Sequence, residues 1–318
     1  MKKLLLSLVG ALSLLSSDFL FAQDPEFTQY YANPLYLNPA FAGTNLCPRI
    51  ITNYRNQWPS ISGTFVTYNV SLDKNVDLLH GGVGLMVTED RAGQGTLNSV
   101  MGSAIYSYQL NVSKEFSLRF GGQASFMQKT LDKSRLTFGD QIDPKRGFVY
   151  STAENITTPQ VHYVDFSAGL LAYSKRYFLG AAVHHLTQPQ EAFIGTNSPL
   201  PMKITAHAGA VIPLEGKSGN ASFSPNVLYQ YQGRFQQLCL GMYFNKGPIV
   251  GGLWYRGNDA AIGLIGVQYG IFKFGYSYDF TISKLSNSTA GSHEISLAMN
   301  FACSPKEKKF RTVSCPSF

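Results

Sequence analysis

The residues from 272 to 281 alternate without exception between large aromatic side chains and small or polar ones. Successive side chains of a β-strand point to opposite faces, so one face of this segment would be aromatic and the other polar. The same alternation recurs along most of the chain, for example at 116–127, 236–244 and 294–301. This period predicts an all-β protein built from half-buried antiparallel strands.

The alternating segments between turn signals predict about fourteen strands. They are 49–58, 62–72, 82–89, 97–110, 116–127, 163–173, 177–186, 203–212, 222–231, 236–244, 249–255, 260–269, 272–281 and 294–301. The longest connections, 128–162, 187–202 and 282–293, all follow odd-numbered strands. Long outer loops, short periplasmic turns and an even strand number are typical of outer-membrane barrels, although the turn predicted at 73–81 is longer than this rule expects.

The composition favours a barrel embedded in a membrane. The chain is 44% hydrophobic but only 14% charged, whereas soluble domains carry about 25% charged residues. Beyond the N-terminus, no segment offers the unbroken run of roughly 20 apolar residues that a spanning helix needs. Alternating strands place their apolar side chains toward lipid, so a transmembrane antiparallel β-barrel over residues 49–301 accounts for both observations.

The N-terminus has the pattern of a secretory signal peptide over residues 1–22. Two lysines precede an apolar core at 4–15, and Ala22 suits the last position before cleavage. A membrane-spanning anchor is the alternative, but the apolar run is short and Asp18 interrupts it. An exported barrel of this kind is expected in the outer membrane of a Gram-negative bacterium.

Two segments flank the predicted barrel, and we expect both termini in the periplasm. Prolines in residues 23–48 exclude a regular helix or a central strand, and the many aromatic residues there predict a packed segment. It would lie at the periplasmic mouth or inside the barrel as a plug. Residues 302–318 would form a periplasmic tail, either solvated or docked on a periplasmic partner. The candidate partner contacts in the tail are Lys306, Lys308, Lys309, Arg311 and Phe318.

Polar side chains are predicted on the inner face of the barrel at Arg119, Gln123, Lys273 and Asp279. They would line a pore or, as paired and hydrogen-bonded groups, hold a filled interior together. The segment 23–48 favours the filled interior. Aromatic residues near strand ends predict girdles at the lipid headgroups. These residues are Tyr229, Tyr231, Trp254, Tyr255, Tyr269 and Tyr278.

The cysteines offer a disulfide at one rim of the barrel. Cys47 precedes the first strand and Cys303 follows the last, and closure of the barrel makes these strands neighbours. Disulfides are compatible with an exported protein, so a Cys47–Cys303 bond is the first candidate. Bonds from Cys315 to either residue, or free thiols, are the alternatives. Cys239 lies in mid-strand and is expected to be a small packing residue.

The sequence gives no support for catalysis, a cofactor or a metal site. His184 and His185 are predicted to lie next to each other on a strand and so to face opposite sides, which prevents shared metal binding. His293 and Glu294 would lie near the outer rim, where some barrel enzymes place catalytic groups. However, neither G-x-S-x-G nor H-E-x-x-H occurs. The net charge of +7 comes from scattered residues, so nucleic acid is not an expected partner.

Several short motifs resemble those of one known family. They are YYANPLYLNPAFAG at 30–43, YRNQWP at 54–59, HHLTQP at 184–189, YSYDFTIS at 276–283 and GSHEISL at 291–297. Together these motifs resemble the PorP/SprF family, whose members are outer-membrane β-barrels of the type IX secretion system. The likeness extends over essentially the whole predicted barrel.

The resemblance implies a role in secretion or surface attachment of cargo with a C-terminal sorting domain, such as gliding adhesins. The implied partners are the periplasmic ring and peptidoglycan-binding components of the machinery, a secreted adhesin, or both. Such work would rest on protein–protein contacts rather than on chemistry. A small-solute outer-membrane porin is the alternative, because a barrel fold alone does not define a function.

Overall fold

The structure, a computed structural model, describes residues 24–113, 115–153, 159–193, 198–214, 221–283 and 289–302. Fourteen long strands lie in these ranges. They are β1 (Arg49–Gln57), β2 (Phe65–Val76), β3 (Gly81–Ala92), β4 (Leu97–Asn111), β5 (Phe116–Leu131), β6 (Gln160–Ser174), β7 (Tyr177–His184), β8 (Lys203–Ala210), β9 (Ala221–Gln232), β10 (Phe235–Lys246), β11 (Ile249–Arg256), β12 (Ala260–Tyr269), β13 (Phe272–Thr281) and β14 (Ser292–Asn300). The predicted signal peptide lies outside the described residues.

The sheet closes on itself as a barrel. β1 pairs antiparallel with β14, with Arg49 opposite Asn300. β8 pairs antiparallel with β9, with Lys203 opposite Gln232. Each of the fourteen strands therefore has a neighbour on both sides, so within the described residues the barrel sheet has no free edge. The predicted all-β transmembrane barrel and its strand number are confirmed.

The alternation along each strand separates an apolar outer surface from a polar interior. On β13, Phe272, Phe274 and Phe280 are exposed, whereas Ser277 and Asp279 are buried. One residue assigned to the lipid-facing girdle is placed differently. Trp254 is buried inside the barrel, on the inner face of β11, with its ring 5.0 Å from that of Tyr30. The girdle assignment of Trp254 is therefore wrong.

The connections divide the barrel into a long-loop end and a short-turn end. The connections after β8, 211–220, and after β13, 282–291, have the same length and lie at opposite ends of the barrel. The two longest connections follow β5 and β7, at 132–159 and 185–202. In the first of these, Ile142–Asp143 and Gly147–Phe148 form a small hairpin. The long turn predicted at 73–81 is wrong, because β2 continues to Val76 opposite Gly81 and leaves only residues 77–80 as the turn.

The N-terminal segment lies inside the barrel and runs along its axis. It forms three short helical turns, Tyr30–Ala32, Pro34–Leu37 and Pro39–Phe41, each too short to be a stable helix without its surroundings. Nearly all of residues 27–42 are buried. We call residues 24–44 the plug. In the described part of the chain, no helix is long and apolar enough to cross a membrane.

The plug begins at the long-loop end and finishes at the short-turn end. The backbone N–H of Asp24 donates to Gln232, the last residue of β9, at 3.2 Å. Gly43 donates to Asp73, near the end of β2, at 2.9 Å. The sequence predicts residues 23–48 at the periplasmic mouth or inside the barrel as a plug, with both termini at the end opposite the long loops. The structure instead brings Asp24 to the long-loop end, because the plug passes through the barrel before β1 begins.

Candidate functional site

Buried charges join the middle of the plug to the barrel wall. Glu294 accepts the backbone N–H of Thr28 at 2.6 Å and that of Gln29 at 3.1 Å. The guanidinium of Arg55 lies 2.9 Å from Asp279 and 3.3 Å from Glu294. Arg55, Asp279 and Glu294 are each no more than 2% exposed. Two backbone donors that would lack water inside the barrel are thereby satisfied.

Arg256 completes what we call the central charge network, which consists of Arg55, Arg256, Asp279 and Glu294. Its guanidinium lies 3.3 Å from Asp279 and donates to the hydroxyl of Thr28 at 3.0 Å. The Thr28 hydroxyl donates in turn to Asp279 at 2.8 Å. Two cationic and two anionic side chains therefore enclose one plug residue. Such a network is sensitive to the loss of any member, because the remaining buried charge is then uncompensated.

The candidate pair His293 and Glu294 is separated by the strand. Glu294 faces the plug and is fully buried rather than at the outer rim. His293 faces the other side of β14, where its Nδ1 lies 2.8 Å from the hydroxyl of Tyr276. Adjacent strand residues point to opposite faces, so these two side chains do not form one site.

Three glycines of the wall, Gly82, Gly121 and Gly169, form a surface that we call the glycine seat. A Cβ atom on Gly82 would lie 2.3 Å from the carbonyl oxygen of Ala42, and one on Gly121 would lie 2.3 Å from the backbone nitrogen of Ala40. A Cβ on Gly169 would lie 2.0 Å from Oδ1 of Asn38. Glycine at 82 and 121 allows the plug backbone to approach the wall this closely, and glycine at 169 leaves room for the Asn38 side chain.

Polar side chains around the glycine seat satisfy the plug backbone. Arg119 donates to the carbonyl oxygens of Ala42 and Gly43, and Ser107 donates to that of Ala42 at 2.6 Å. Asn75 donates to the carbonyl oxygen of Gly43 at 3.1 Å. Arg119, which the sequence analysis placed on the inner face, therefore binds the plug.

A histidine between two carboxylates joins the start of the plug to the wall, and we call Asp24, Asp165 and His185 the latch. Nδ1 of His185 lies 2.8 Å from Asp165, and Nε2 lies 2.9 Å from Asp24. The ammonium of Lys203 lies 3.6 Å from the same Asp24 oxygen. Asp24 is thus held by two cationic partners from different parts of the wall.

The prediction that His184 and His185 face opposite sides is wrong. β7 ends at His184, and His185 takes a left-handed backbone conformation with φ of 59°. This turn brings both imidazoles to the same cavity. Among the described residues, no group of three His, Cys, Asp or Glu side chains could hold a metal ion.

The electrostatics of the latch keep His185 protonated at neutral pH. Burial lowers the pKa of His185, but the charges and hydrogen bonds of Asp24 and Asp165 outweigh it and raise that pKa to about 9. Burial alone would raise the pKa of Asp24, yet His185 and Lys203 bring it below its usual range. The latch is therefore an ion triad of one imidazolium and two carboxylates.

Replacing His185 with glutamine is expected to cost stability at neutral pH but not at high pH. The folded pKa is raised above the unfolded value, so the stabilisation is complete below about pH 6.5 and is lost as the pH rises through the folded pKa. The free-energy difference between wild type and His185→Gln, measured by denaturant unfolding, should fall from about 2–3 kcal/mol to near zero by about pH 10. A pH-independent difference would contradict the ion triad. His80→Gln, at an exposed turn, is the control.

A cavity of about 490 Å³ lies between the latch and the long-loop end. Its lining includes residues from the ends of β1, β3, β5, β7 and β9, together with the start of the plug. Part of the lining is apolar or aromatic, namely Tyr36, Trp58, Phe65, Met86, Leu97, Met101, Met127, Leu200 and Phe235. The charged members are Asp24, Glu26, Asp90, Lys129, Asp165, His185, Glu191 and Lys203.

Two of the four cysteines, Cys47 and Cys239, lie in the described residues. Cys239 is a buried free thiol, and the hydroxyl of Tyr30 donates to its sulfur at 3.2 Å. Cys47 is disulfide-bonded to a partner outside the described residues. The backbone N–H of Phe301 donates to the carbonyl oxygen of Pro48 at 3.0 Å, so the chain just after Cys47 lies beside the end of β14. Cys303 lies outside the described residues, as do the tail candidates Lys306, Lys308, Lys309, Arg311 and Phe318.

A closed barrel with an apolar outer wall and a polar, plugged interior defines the class of outer-membrane β-barrel proteins. The family model described as type IX secretion system membrane protein PorP/SprF matches residues 19–299. The chain belongs to the PorP/SprF family, as the sequence motifs indicated. No curated protein matched the sequence.

The chain is similar to several solved structures of outer-membrane barrels at low sequence identity. The P. putida toluene transporter TodX is 11% identical over 84% of this chain and 93% of its own, with a TM-score of 0.49. The KdgM porin is 8% identical over 80% and 99%, with a TM-score of 0.40. The Acinetobacter baumannii protein Omp33 is 7% identical over 81% and 100%, with a TM-score of 0.44.

Proposed function

We propose that this protein supports type IX secretion by holding or guiding cargo proteins at its long-loop end, through protein–protein contacts and without catalysis. The observation that carries the proposal is the plug, which fills the interior from Phe27 to Ala42 and is fixed by the central charge network and the glycine seat. A filled interior makes the two rims the working surfaces. Membership of the PorP/SprF family supports this role.

The proposed orientation follows the usual asymmetry of outer-membrane barrels. The long-loop end would face the exterior and the short-turn end the periplasm. Residues 302–318 would then continue from β14 into the periplasm, where Lys306, Lys308, Lys309, Arg311 and Phe318 contact the secretion machinery. A Cys47–Cys303 disulfide would fix the start of this tail beside the beginning of β1. Signal peptide removal after Ala22 would leave Asp24 close to the new N-terminus.

Affinity capture from detergent-solubilised outer membranes, followed by mass spectrometry, tests this proposal. We expect an adhesin with a C-terminal sorting domain, periplasmic ring and peptidoglycan-binding components, or both sets. Replacing the loop hairpin 142–148 by a short glycine–serine linker should reduce cargo recovery and leave the machinery bound. Deleting residues 304–318 should reduce recovery of the machinery and leave the cargo bound.

Two outcomes would count against the proposal. If neither cargo nor machinery is recovered with the wild-type protein, the proposed role fails. If both deletions leave recovery unchanged, the assignment of the two rims fails. Barrel insertion of every variant is checked by the heat-dependent shift in its electrophoretic mobility.

A small-solute porin is the alternative function, and the filled interior weighs against it. Conduction would require an open path past the plug, and residues 27–42 are packed against the wall along most of that path. Planar-bilayer conductance of the wild-type protein separates the two functions.

A further inference from the structure

We propose that the cavity at the long-loop end binds a basic side chain, a lysine or an arginine, presented by a peptide segment of the cargo. This inference rests on the proposed function, because it names the chemistry that the long-loop end would recognise. The site is formed by the start of the plug and the inner faces of the surrounding strands. Its key groups are Glu26, Asp90 and Gln123.

Two carboxylates of the cavity have little or no compensation: Glu26 has only the distant Arg256, and Asp90 has no ion-pair partner among the described residues. Lys129 lies 2.7 Å from Glu191, and the cations His185 and Lys203 belong to Asp24 and Asp165 in the latch. Asp90 accepts a hydrogen bond from the Thr67 hydroxyl at 2.7 Å, and no cation of the described chain lies within ion-pair distance of it.

Glu26 is the second carboxylate with unused capacity. Its Oε2 has only a long contact of 3.8 Å with Arg256. Its Oε1 is buried and has no hydrogen-bond partner among the described residues. Asp24, Glu26 and Asp90 all line the same cavity.

A second, independent observation concerns hydrogen bonding rather than charge. Gln123 lines the cavity and is only 6% exposed. Its Nε2 donates to Ser103 at 3.1 Å and to Ser125 at 2.9 Å. Its Oε1 has no partner within the described residues. The unsatisfied groups beside this site are therefore acceptors, and a ligand that satisfies them must donate. Neither Oε1 atom is exposed to the cavity, so each side chain has to turn toward the ligand when it binds.

A lysine or arginine side chain fits both requirements. An ammonium offers three donors and a guanidinium offers five, and neither has an acceptor. Their aliphatic stems pack on apolar surface while the charge reaches polar groups. Met86, Met101 and Met127 provide such a surface, and methionine adapts easily to different shapes. A volume of about 490 Å³ accommodates a short peptide segment.

The test uses three amidated peptides on the full-length protein in detergent. They are acetyl-Phe-Lys-Met-amide, its neutral analogue with norleucine in place of lysine, and its glutamate analogue. Binding is measured by isothermal titration calorimetry and by the fluorescence of Trp58, which lines the cavity. We expect the lysine peptide to bind at least about tenfold more tightly than the norleucine peptide, and the glutamate peptide to bind least.

The variant Asp90→Asn should weaken the lysine peptide about tenfold while leaving the norleucine peptide unchanged. Asparagine keeps an acceptor for Thr67, so the change removes the charge with little loss of packing. Asp77→Asn, in the exposed turn between β2 and β3 at the short-turn end, is the matched control and should bind like wild type. Glu26→Gln is the second variant, in case Asp90→Asn fails to insert, and it should show the same selective loss.

Equal binding of the lysine and norleucine peptides, absence of binding, or full binding by both cavity variants would overturn the inference. Spermidine that binds as tightly as the lysine peptide would overturn the assignment to a peptide. The two proposals fail separately. If wild type and Asp90→Asn capture cargo equally well, this inference fails and the proposed function stands. If no cargo is captured but the lysine peptide binds selectively, the proposed function fails and the cavity remains a site for a basic side chain.

Discussion

Replacing Arg55 with alanine is expected to lower the free energy of unfolding by about 3–5 kcal/mol and to release the middle of the plug. The substitution leaves Asp279 without its 2.9 Å partner, and Glu294 loses its only ion-pair partner in the described chain. Both carboxylates are buried, so water does not replace the lost cation. Glu294 holds the backbone N–H groups of Thr28 and Gln29, so these plug residues would also be released from the wall.

The measurement is urea unfolding in lipid vesicles, observed through Trp254 in a background with Trp58→Phe. Trp254 is buried with its ring 5.0 Å from that of the plug residue Tyr30, so its emission reports whether the plug is seated. Arg91→Ala is the matched control, because Arg91 is half exposed and pairs with Glu89 on the outer surface. Exposed pairs contribute about 0–1 kcal/mol. If Arg55→Ala costs no more than this control, the central charge network does not hold the plug.

The sequence predicts the wall of this protein well because the wall obeys a local rule. Side-chain direction in a strand repeats every second residue, so Asp279 is assigned to the interior from the alternation of β13 alone. The strand number follows from the same period. The limits of β2 were missed because Asp73 and Asn75 look like turn residues, whereas in the structure they face the plug and bind it.

The interior could not be predicted in the same way, because its contacts join residues far apart in the chain. Glu294 binds Thr28 and Gln29 across the whole sequence, and no local pattern indicates which inner-facing carboxylate meets the plug. Trp254 was assigned to the lipid face by its residue type, although its own alternation with Gly252 and Arg256 places it inside. The direction of the His185 side chain could not be predicted either. It depends on a left-handed backbone conformation, which a histidine adopts only where the surrounding structure favours it.

Replacing Gly121 with valine is expected to displace the plug and open a conducting path through the barrel. A Cβ atom at this position would lie 2.3 Å from the backbone nitrogen of Ala40 and 2.4 Å from the carbonyl carbon of Pro39. Both atoms belong to the plug backbone, so no rotamer change relieves the clash. Overpacking of this kind costs about 1–3 kcal/mol or more, and it falls on the contact that seats the plug near the short-turn end.

Gly122→Val is the matched control. Gly122 faces the opposite side of the wall from Gly121, and a Cβ atom on Gly122 would meet nothing within 4 Å. In planar bilayers, Gly121→Val should show clear conductance steps, whereas wild type and Gly122→Val should remain closed. A closed Gly121→Val channel with normal Trp254 emission would mean that the wall yields instead of the plug. Wild-type conductance equal to that of Gly121→Val would mean that the plug does not close the barrel in a membrane. The porin function would then account for the protein better than cargo attachment, because attachment was inferred from a filled interior.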